Sequence, residues 1–288
     1  MPPASVKNHV EELLSQPVKK FQTVSGGSIN RAARVTTDNG KTFFLKWNNS
    51  AAGDMFPKEQ KGLELLRSAR SGLRMPEVLG TGTTADGTDF ILMTYLEQGS
   101  ARSDSNRIFG EQLAELHQTT AEQYGLNHDN YIGRLPQSNK KHANWIDFFI
   151  DERLEPQLQM ALDAGKFAGG IAQNFHRLYK KLPDLLPEEP PSLLHGDLWG
   201  GNYFFDSEGH PAIYDPAVYY GNREIEIAFT YLFGGFSAEF YASYQENFPL
   251  QPNFSKRKDI YNLYPLLVHT NMFGGSYARQ VEGIIQRY

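Results

Sequence analysis

One short segment of the chain decides its fold, and it reads Leu193-Leu194-His195-Gly196-Asp197-Leu198-Trp199-Gly200-Gly201-Asn202. Further along, the apolar run Ala212-Ile213-Tyr214 leads into Asp215-Pro216-Ala217. Between them, Ser207-Glu208-Gly209-His210 is typical of a turn, so we predict a small hairpin whose two ends lie close together. Asn202 and Asp215 are therefore expected to face one point.

These side chains suit phosphoryl transfer. A hydroxyl nucleophile needs a carboxylate to orient it and accept its proton, and a nucleotide needs Mg²⁺ held by hard oxygen ligands. Asp197 fits the first role, and Asn202 with Asp215 fits the second. The offsets of His195, Asp197 and Asn202 match the kinase catalytic loop H-R-D-x-x-x-x-N, with Gly196 in the arginine position. Asp215 stands where the D-F-G segment would begin.

Each residue of this set also has a local structural explanation. Asp197 could occupy a turn, Asn202 could cap one, and Asp215 could stabilise the turn at Pro216. His195 is expected to be a structural hydrogen-bonding residue rather than a proton carrier. The ordered set, and not any member alone, favours the phosphotransferase interpretation.

The first third of the chain alternates strand-like and turn-like segments. Asp38-Asn39-Gly40 and Ala85-Asp86-Gly87 are strong turn signals between apolar runs. The pattern predicts three strands, one helix and two strands, which is typical of an antiparallel sheet that carries a helix. The predicted strands span 18–24, 32–37, 41–46, 77–83 and 89–95, and the helix spans 57–69.

Two features of this region point to a phosphate site. The loop between the first two strands contains Gly26, Gly27 and Ser28, and paired glycines let backbone amides approach an anion. Lys46 ends an apolar strand, where its charge requires a partner, and Glu59 on the following helix is the candidate. An ordinary hairpin turn and a lysine that reaches solvent from a strand end are the alternatives.

Beyond residue 105 the apolar periodicity becomes helical. The fold class is therefore α+β with two lobes, an N-terminal lobe over 1–96 and a larger, mainly helical lobe over 97–288. Besides a helix that begins near 105, helices are predicted over 145–162, 171–182, 223–233, 236–246, 256–273 and 276–287.

Composition sets the remaining limits. Hydrophobic residues make up 40% of the 288 residues, enough for a sizeable core, and the net charge is −5. That acidic balance offers no footprint for nucleic acid or an anionic membrane. The sequence has no cysteine, no apolar stretch of about 18 residues and no basic-then-apolar leader at its N-terminus. A cytoplasmic enzyme or binding protein is expected, as a monomer or a non-covalent dimer.

Taken together, these motifs resemble the fructosamine kinase (ketosamine-3-kinase) family of the protein-kinase-like, aminoglycoside-phosphotransferase-like superfamily. The resemblance covers almost the whole chain. The segments that carry it are 193–202, 213–217 and 220–224, supported by Met55-Phe56, by Asp129-Asn130-Tyr131-Ile132-Gly133 ahead of Trp145 and Phe148-Phe149, and by Phe273-Gly274-Gly275.

The resemblance implies a protein-kinase-like fold and transfer of the γ-phosphate of ATP to the 3-hydroxyl of ketosamines, with release of the amine as the adduct decomposes. It implies that Asp197 is the catalytic base and that Glu226 braces the catalytic loop. The implied cofactors are ATP and Mg²⁺. The implied metal ligands are Asn202 and Asp215. The residues implied on the phosphate side are Gly26, Gly27, Ser28 and Lys46, with Glu59 as the ion-pair partner of Lys46. The implied adenine hinge is Met93, Thr94, Tyr95 and Leu96.

For the acceptor side, Trp199 is the first candidate because it lies two residues after Asp197. Core packing is the alternative for Trp199. His269 and Glu224 are further candidates, for which a structural role is the favoured alternative. Some family members carry a cysteine in the glycine loop, where this chain has Ser28 and no cysteine at all, so a disulfide switch is excluded. The absence of a long activation loop after Asp215 argues against a protein kinase. An aminoglycoside or choline acceptor and a non-catalytic nucleotide-binding pseudokinase remain the alternative functions.

Overall fold

The N-terminal part is built on one antiparallel sheet. The computed structural model describes residues 1–24, 30–49, 53–167 and 169–288. The strands lie in the order β1-β2-β3-β5-β4, and every neighbouring pair is antiparallel. The predicted order of three strands, one helix and two strands is confirmed. The strands are β1 (Val18–Val24), β2 (Arg31–Thr37), β3 (Thr42–Asn48), β4 (Val78–Thr83) and β5 (Asp89–Thr94).

Two helices cover the two faces of this sheet. Side chains alternate along a strand, so neighbouring residues face opposite sides. Leu92 of β5 clusters with Val10 of the first helix, whereas Ile91 clusters with Leu63 of the second. Strand β5, which lies between β3 and β4, is therefore buried on both sides. The helices are α1 (Ala4–Leu14) and α2 (Met55–Ser68).

Helix α1 is an element that the sequence analysis did not predict. Only two of its residues, Val6 and Val10, are fully buried, and they pack on the sheet. A short helix of this kind is marginal in isolation, and its stability comes from the surface it covers.

The C-terminal part is mainly helical, as predicted. The helix predicted over 145–162 is continuous but contains a π-helical turn over Phe149–Leu154, and the helix predicted to reach 182 ends at Tyr179. The helices are α3 (Ser105–His117), α4 (Trp145–Phe148), α5 (Glu155–Asp163), α6 (Ile171–Tyr179), α7 (Leu182–Leu185), α8 (Arg223–Leu232), α9 (Ala238–Asn247), α10 (Phe254–Phe273) and α11 (Ser276–Ile285).

Three small antiparallel strand pairs lie among these helices and carry the loops of interest. The hairpin predicted between Asn202 and Asp215 is confirmed as β9 paired with β10. The strands are β6 (Asn130–Ile132) with β7 (Leu135–Gln137), β8 (Ser192–Leu194) with β11 (Tyr219–Gly221), and β9 (Tyr203–Phe205) with β10 (Pro211–Ile213).

One hydrophobic cluster runs from the N-terminal sheet into the helical part. It joins Phe56 of α2 and Met93 of β5 to Leu113 of α3 and Leu193 of β8. The predicted α+β fold, with an antiparallel sheet and a mainly helical remainder, is confirmed, while the division between 96 and 97 stays a prediction. Within the described residues, no helix is both long enough and apolar enough to cross a membrane.

Helices α3 and α9 approach so closely that a glycine is needed between them. A Cβ atom on Gly110 of α3 would lie 2.3 Å from the carbonyl oxygen of Phe240 and 2.8 Å from the backbone nitrogen of Tyr244. Both neighbours are backbone atoms of α9, which cannot turn aside as a side chain can. In contrast, a Cβ atom on Gly283 of α11 would meet nothing within 4 Å.

This pair of helical glycines provides a matched test of the packing. Gly110→Ala is expected to lower the free energy of unfolding by about 1–3 kcal/mol, because the two helices must separate. Gly283→Ala is expected to raise it by up to about 1 kcal/mol through helix propensity alone. Urea denaturation of both variants measures the difference, and equal effects would contradict the close approach.

Candidate active site

The loop after β8 presents His195 as a structural residue. Its Nε2 lies 2.9 Å from the carbonyl oxygen of Tyr214, which can only accept, so Nε2 carries the proton. Its Nδ1 therefore accepts from the backbone N–H of Asp197 at 3.3 Å. Burial also lowers the pKa of His195. Both ring nitrogens are engaged, so His195 joins the catalytic loop to the segment that carries Asp215.

Gly196 is required for the same junction. Its φ is +84°, in the left-handed region, and a Cβ atom would lie 2.0 Å from the carbonyl oxygen of Ala217. An arginine, as in the protein-kinase motif, has no room here. The loop instead packs its backbone directly on the segment after Asp215, where the backbone N–H of Ala217 donates to the carbonyl oxygen of His195 at 2.9 Å.

A buried carboxylate braces this loop from below. Glu226 of α8 accepts the backbone N–H of Gly196 at 2.6 Å and that of His195 at 3.1 Å, and it lies 2.9 Å from Nε2 of His117. Burial acts to raise the pKa of Glu226, but the hydrogen bond from His117 and the N–H of Gly196 outweigh burial and lower it. The structure thus places Glu226 where the resemblance implies a brace.

Asp197 and Asn202 lie side by side. The amide Nδ2 of Asn202 donates to Oδ2 and to the carbonyl oxygen of Asp197, at 2.9 Å each. The backbone N–H of Tyr214 donates to the carbonyl oxygen of Asn202 at 3.1 Å, so the predicted hairpin brings Asn202 next to the strand that leads to Asp215. Burial and the nearby Asp215 carboxylate raise the pKa of Asp197 well above its usual range.

Lys46 joins the sheet to both other parts of the site. Its Nζ lies 2.7 Å from Oε1 of Glu59 on α2 and also contacts Oδ1 of Asp215. Burial alone would lower the pKa of Lys46, but the two carboxylates outweigh it and raise that pKa, so the lysine stays charged. The predicted ion pair between Lys46 and Glu59 is therefore present, and the carboxylate of Asp215 from the helical part is a second partner of Lys46.

The donor atoms near Asp197 fit a magnesium ion. The Asp215 side chain is 40% exposed, and its backbone has a φ of +58°. The side chain of Asn202 donates from Nδ2 to Asp197, and its Oδ1 accepts no hydrogen bond from another described residue. One carboxylate and one amide oxygen are hard ligands of the kind that Mg²⁺ takes together with nucleotide phosphates.

The predicted adenine hinge lies at the end of β5. Met93 is buried and pairs with Phe44 of β3, and Thr94 ends β5. Tyr95 and Leu96 are half-buried in the connection toward the helical part. The predicted phosphate loop, Gly26, Gly27 and Ser28, lies outside the described residues.

A narrow cavity opens beside Asp197, and His269 of α10 lines it. Nδ1 of His269 donates to the carbonyl oxygen of Pro265 at 2.8 Å, which leaves Nε2 as an acceptor. Trp199 is 39% exposed and lies 6.1 Å from the ring of Phe233, which in turn lies 4.8 Å from His269. The structure therefore brings these two acceptor candidates to one aromatic cluster.

Glu224 is not part of this group. Its side chain is fully buried and pairs with Arg257, whose guanidinium donates to both carboxylate oxygens at 2.5 and 2.8 Å. This placement favours a structural role at the start of α8.

Sequence reasoning missed several residues of the cavity. Tyr264 of α10, Phe229 of α8 and Ile132 of β6 line it together with Asp197. Aromatic and aliphatic residues of this kind are indistinguishable from core residues in a sequence. Of these residues, only Ile132 lies in a segment that the family resemblance had singled out, Asp129–Gly133. That resemblance did not place Ile132 in a cavity.

Comparisons with known proteins agree with this geometry. A family model described as fructosamine kinase matches residues 3–288. An Enterococcus faecium protein assigned as a ketoamine kinase is 40% identical over 93% of this chain and 95% of its own length. A chloroplastic protein-ribulosamine 3-kinase of Oryza sativa subsp. indica is 38% identical, over 92% of this chain and 78% of its own.

Solved structures agree as well. A Haemophilus somnus protein assigned as a fructosamine-3-kinase superposes with a TM-score of 0.88 at 31% identity, over 98% of this chain and 96% of its own. An aminoglycoside phosphotransferase, APH(4)-Ia, crystallised with ADP and hygromycin B, has a TM-score of 0.65 at 16% identity, over 98% of both chains. The second likeness shows the fold alone.

The brace under the catalytic loop can be tested by stability. Glu226→Gln is expected to lower the free energy of unfolding by about 1–3 kcal/mol at pH 7, because an amide cannot accept at both positions. Glu239→Gln on the exposed face of α9 is the control, with an expected change within about 0.5 kcal/mol. Urea denaturation measures both.

The difference in unfolding free energy between wild type and Glu226→Gln is expected to depend on pH. Because the folded pKa of Glu226 lies below its unfolded value of about 4.3, the stabilisation is complete above that value and is lost as the pH falls through the folded pKa. The gap between wild type and variant should hold from about pH 7 to about pH 5 and shrink below about pH 4. If that difference in unfolding free energy grew in acid, the negative charge of Glu226 would not be what stabilises the loop.

Proposed function

The chain belongs to the fructosamine kinase family, and on that premise we propose that it transfers the γ-phosphate of ATP to the 3-hydroxyl of ketosamines. Family membership confirms the predicted class of enzyme, a phosphotransferase. The acceptor class is supported by the names of its relatives, ketoamine kinase and protein-ribulosamine 3-kinase. A 3-phosphorylated adduct decomposes and frees its amine, so the reaction would amount to deglycation.

One observation carries the proposal, the position of Asp197. Asp197 lines the narrow cavity, and its carboxylate is hydrogen-bonded to Asn202, one of the candidate metal ligands. A hydroxyl group bound in the cavity would therefore lie between the base and the phosphate to be transferred. General-base positioning of this kind is what phosphoryl transfer requires of the protein.

Each residue of the site has one role in the proposed transfer. Asp197 orients the 3-hydroxyl and accepts its proton, the hydroxyl oxygen bonds to the γ-phosphorus, and the bond from that phosphorus to the β–γ bridging oxygen breaks to release ADP. Lys46, held by Glu59, offsets the negative charge on the phosphates. Asn202 and Asp215 would hold Mg²⁺, which neutralises the phosphate oxygens when bound.

Nucleotide binding is supported by the fold, since the related aminoglycoside phosphotransferase was crystallised with ADP. We propose that Met93, Thr94, Tyr95 and Leu96 bind adenine through their backbone and that Gly26, Gly27 and Ser28 approach the phosphates. The division into lobes at 96/97, a monomer or non-covalent dimer, and a cytoplasmic location stay predictions.

On the acceptor side, we assign Trp199 and His269. The lone pair on Nε2 of His269 can accept a hydrogen bond from a sugar hydroxyl in the cavity that Asp197 shares. The half-exposed ring of Trp199 offers a face to the amine part of the adduct, which is cationic when protonated. Glu224 is not included, because Arg257 neutralises it in the interior.

The acceptor class is tested by a panel of substrates. Purified protein with ATP and Mg²⁺ is expected to turn over ribulose-lysine and fructose-lysine and to yield the 3-phosphate, identified by NMR. Kanamycin, choline and a reaction without acceptor are the comparison. Turnover with kanamycin or choline alone would move the chain to another acceptor class, and tight ATP binding without any turnover would favour a pseudokinase.

The base is tested by Asp197→Asn. This change is expected to lower kcat by about 10²–10⁴-fold, because the acceptor hydroxyl loses its proton acceptor. ATP affinity, measured by calorimetry, should stay within a few-fold of wild type, since Asp197 faces the acceptor. Asp184→Asn on the exposed side of α7 is the control, and wild-type turnover by Asp197→Asn would overturn the assignment.

A further inference from the structure

The β6–β7 hairpin, residues 130–137, contacts both halves of the candidate site. We call it the clamp hairpin. It belongs to the helical part of the chain, and apart from Ile132, which lines the cavity, none of its residues has a place in the site described above. Its neighbouring residues Asn130 and Tyr131 contact different elements: Asn130 meets the segment that follows Asp215, and Tyr131 meets the beginning of α2.

The first contact holds the backbone after Asp215. Nδ2 of Asn130 donates to the carbonyl oxygen of Val218 at 2.8 Å, and Nε2 of Gln137 donates to that of Ala217 at 3.0 Å. Asn130 and Gln137 are both buried, so neither carbonyl has water as a substitute partner. Two side-chain amides therefore determine the path of the chain just after the candidate metal ligand.

These amides are themselves fixed by a buried network. Oδ1 of Asn130 accepts from Gln137 and from Asn139, at 2.8 Å each. The hydroxyl of Tyr264 donates to Oε1 of Gln137 at 2.5 Å, and the guanidinium of Arg153 donates to Oδ1 of Asn139 at 2.7 Å. All three side-chain amide oxygens of this network are engaged, and a buried hydrogen-bonded network of this kind makes the local structure rigid.

The second contact holds the N-terminal end of α2. The hydroxyl of Tyr131 donates to Oδ1 of Asp54, the residue before α2, at 2.6 Å. Nζ of Lys58 lies 4.8 Å from the centre of the Tyr131 ring and 2.7 Å from Oδ2 of Asp54. Lys58 is the sequence neighbour of Glu59, so the hairpin ties down the turn of α2 that presents Glu59 to Lys46.

Helix α2 also packs on the segment that the clamp hairpin holds. A Cβ atom on Gly62 would lie 3.2 Å from Cγ2 of Val218 and 3.6 Å from Cγ of Pro216. Asn130 holds the backbone of that same Val218. The hairpin, α2 and the Asp215 segment therefore form one closed set of contacts.

We propose that the clamp hairpin is a built-in positioning device that keeps Glu59 and Asp215 together on Lys46, with Tyr131 as the positioning residue for α2. In regulated protein kinases a phosphorylated activation loop and the position of the corresponding helix control this pairing. In this chain, Tyr131 and the buried side-chain amides of Asn130 and Gln137 hold the pairing without a covalent modification. The proposal rests on the roles of Lys46, Glu59 and Asp215 in the proposed function.

The test uses two changes at Tyr131 in the full chain. Tyr131→Phe removes the hydroxyl and keeps the ring under Lys58, whereas Tyr131→Ala removes both. We expect kcat/KM for ATP to fall about threefold to tenfold in Tyr131→Ala and less in Tyr131→Phe, with the KM for the ketosamine unchanged. Tyr241→Phe is the matched control, because its hydroxyl lies 3.1 Å from that of Thr230, away from α2.

A readout independent of activity decides whether α2 is held. Amide hydrogen exchange of residues 55–68, followed by mass spectrometry, is expected to accelerate in both Tyr131 variants and to stay at the wild-type rate in Tyr241→Phe. Unchanged exchange in both Tyr131 variants would overturn the proposal. Equal acceleration over the whole chain would also overturn it, since it would indicate general destabilisation.

A double-mutant cycle identifies the route of the effect. If Tyr131 acts through Glu59, Tyr131→Ala should change kcat/KM for ATP by less than about twofold in the Glu59→Gln background. An undiminished effect in that background would overturn the assignment. Full turnover by Glu59→Gln, or no ketosamine turnover by wild type, would count against the proposed function, and the exchange experiment would still decide whether the hairpin holds α2.

Discussion

The buried ammonium of Lys46 is the charge on which the arrangement of the site depends. A lysine inside a sheet is costly unless carboxylates surround it. The first carboxylate, Glu59, comes from α2, and the second, Asp215, comes from the helical lobe, so one charge connects three separate elements. The electrostatic requirement of a single side chain thus defines how the sheet, α2 and the Asp215 segment are placed relative to one another.

The catalytic loop depends on backbone groups instead. Gly196 allows its chain to lie against Ala217, and Glu226 accepts the two N–H groups that this path leaves unpaired. His195 completes the junction with both ring nitrogens engaged. The side chain of Asp197 is therefore presented by a loop whose conformation is held by Glu226, and the general-base role proposed for Asp197 requires such precise positioning.

The hydrophobic core explains why these two arrangements can coexist. A single cluster passes from Met93 in the sheet through Phe56 of α2 to Leu193 before the catalytic loop. Interiors of this kind are close-packed and transmit displacements. The clamp hairpin adds polar contacts to the same interface, so both apolar packing and hydrogen bonds hold α2 in place.

Local patterns in the sequence were enough to predict the order of elements, the α+β class and the hairpin between Asn202 and Asp215, because turns and apolar periodicity are local properties. Motif spacing likewise predicts the chemistry of the segment around Asp197. It did not indicate α1, whose stability comes from the sheet beneath it, nor the cavity residues Tyr264 and Phe229, which read as core. The pairing of Glu224 with Arg257 and the hydrogen bond from Tyr131 to Asp54 became visible only in the folded chain. Such pairings join residues far apart in the chain, and no local pattern records which of many charged or aromatic side chains will meet.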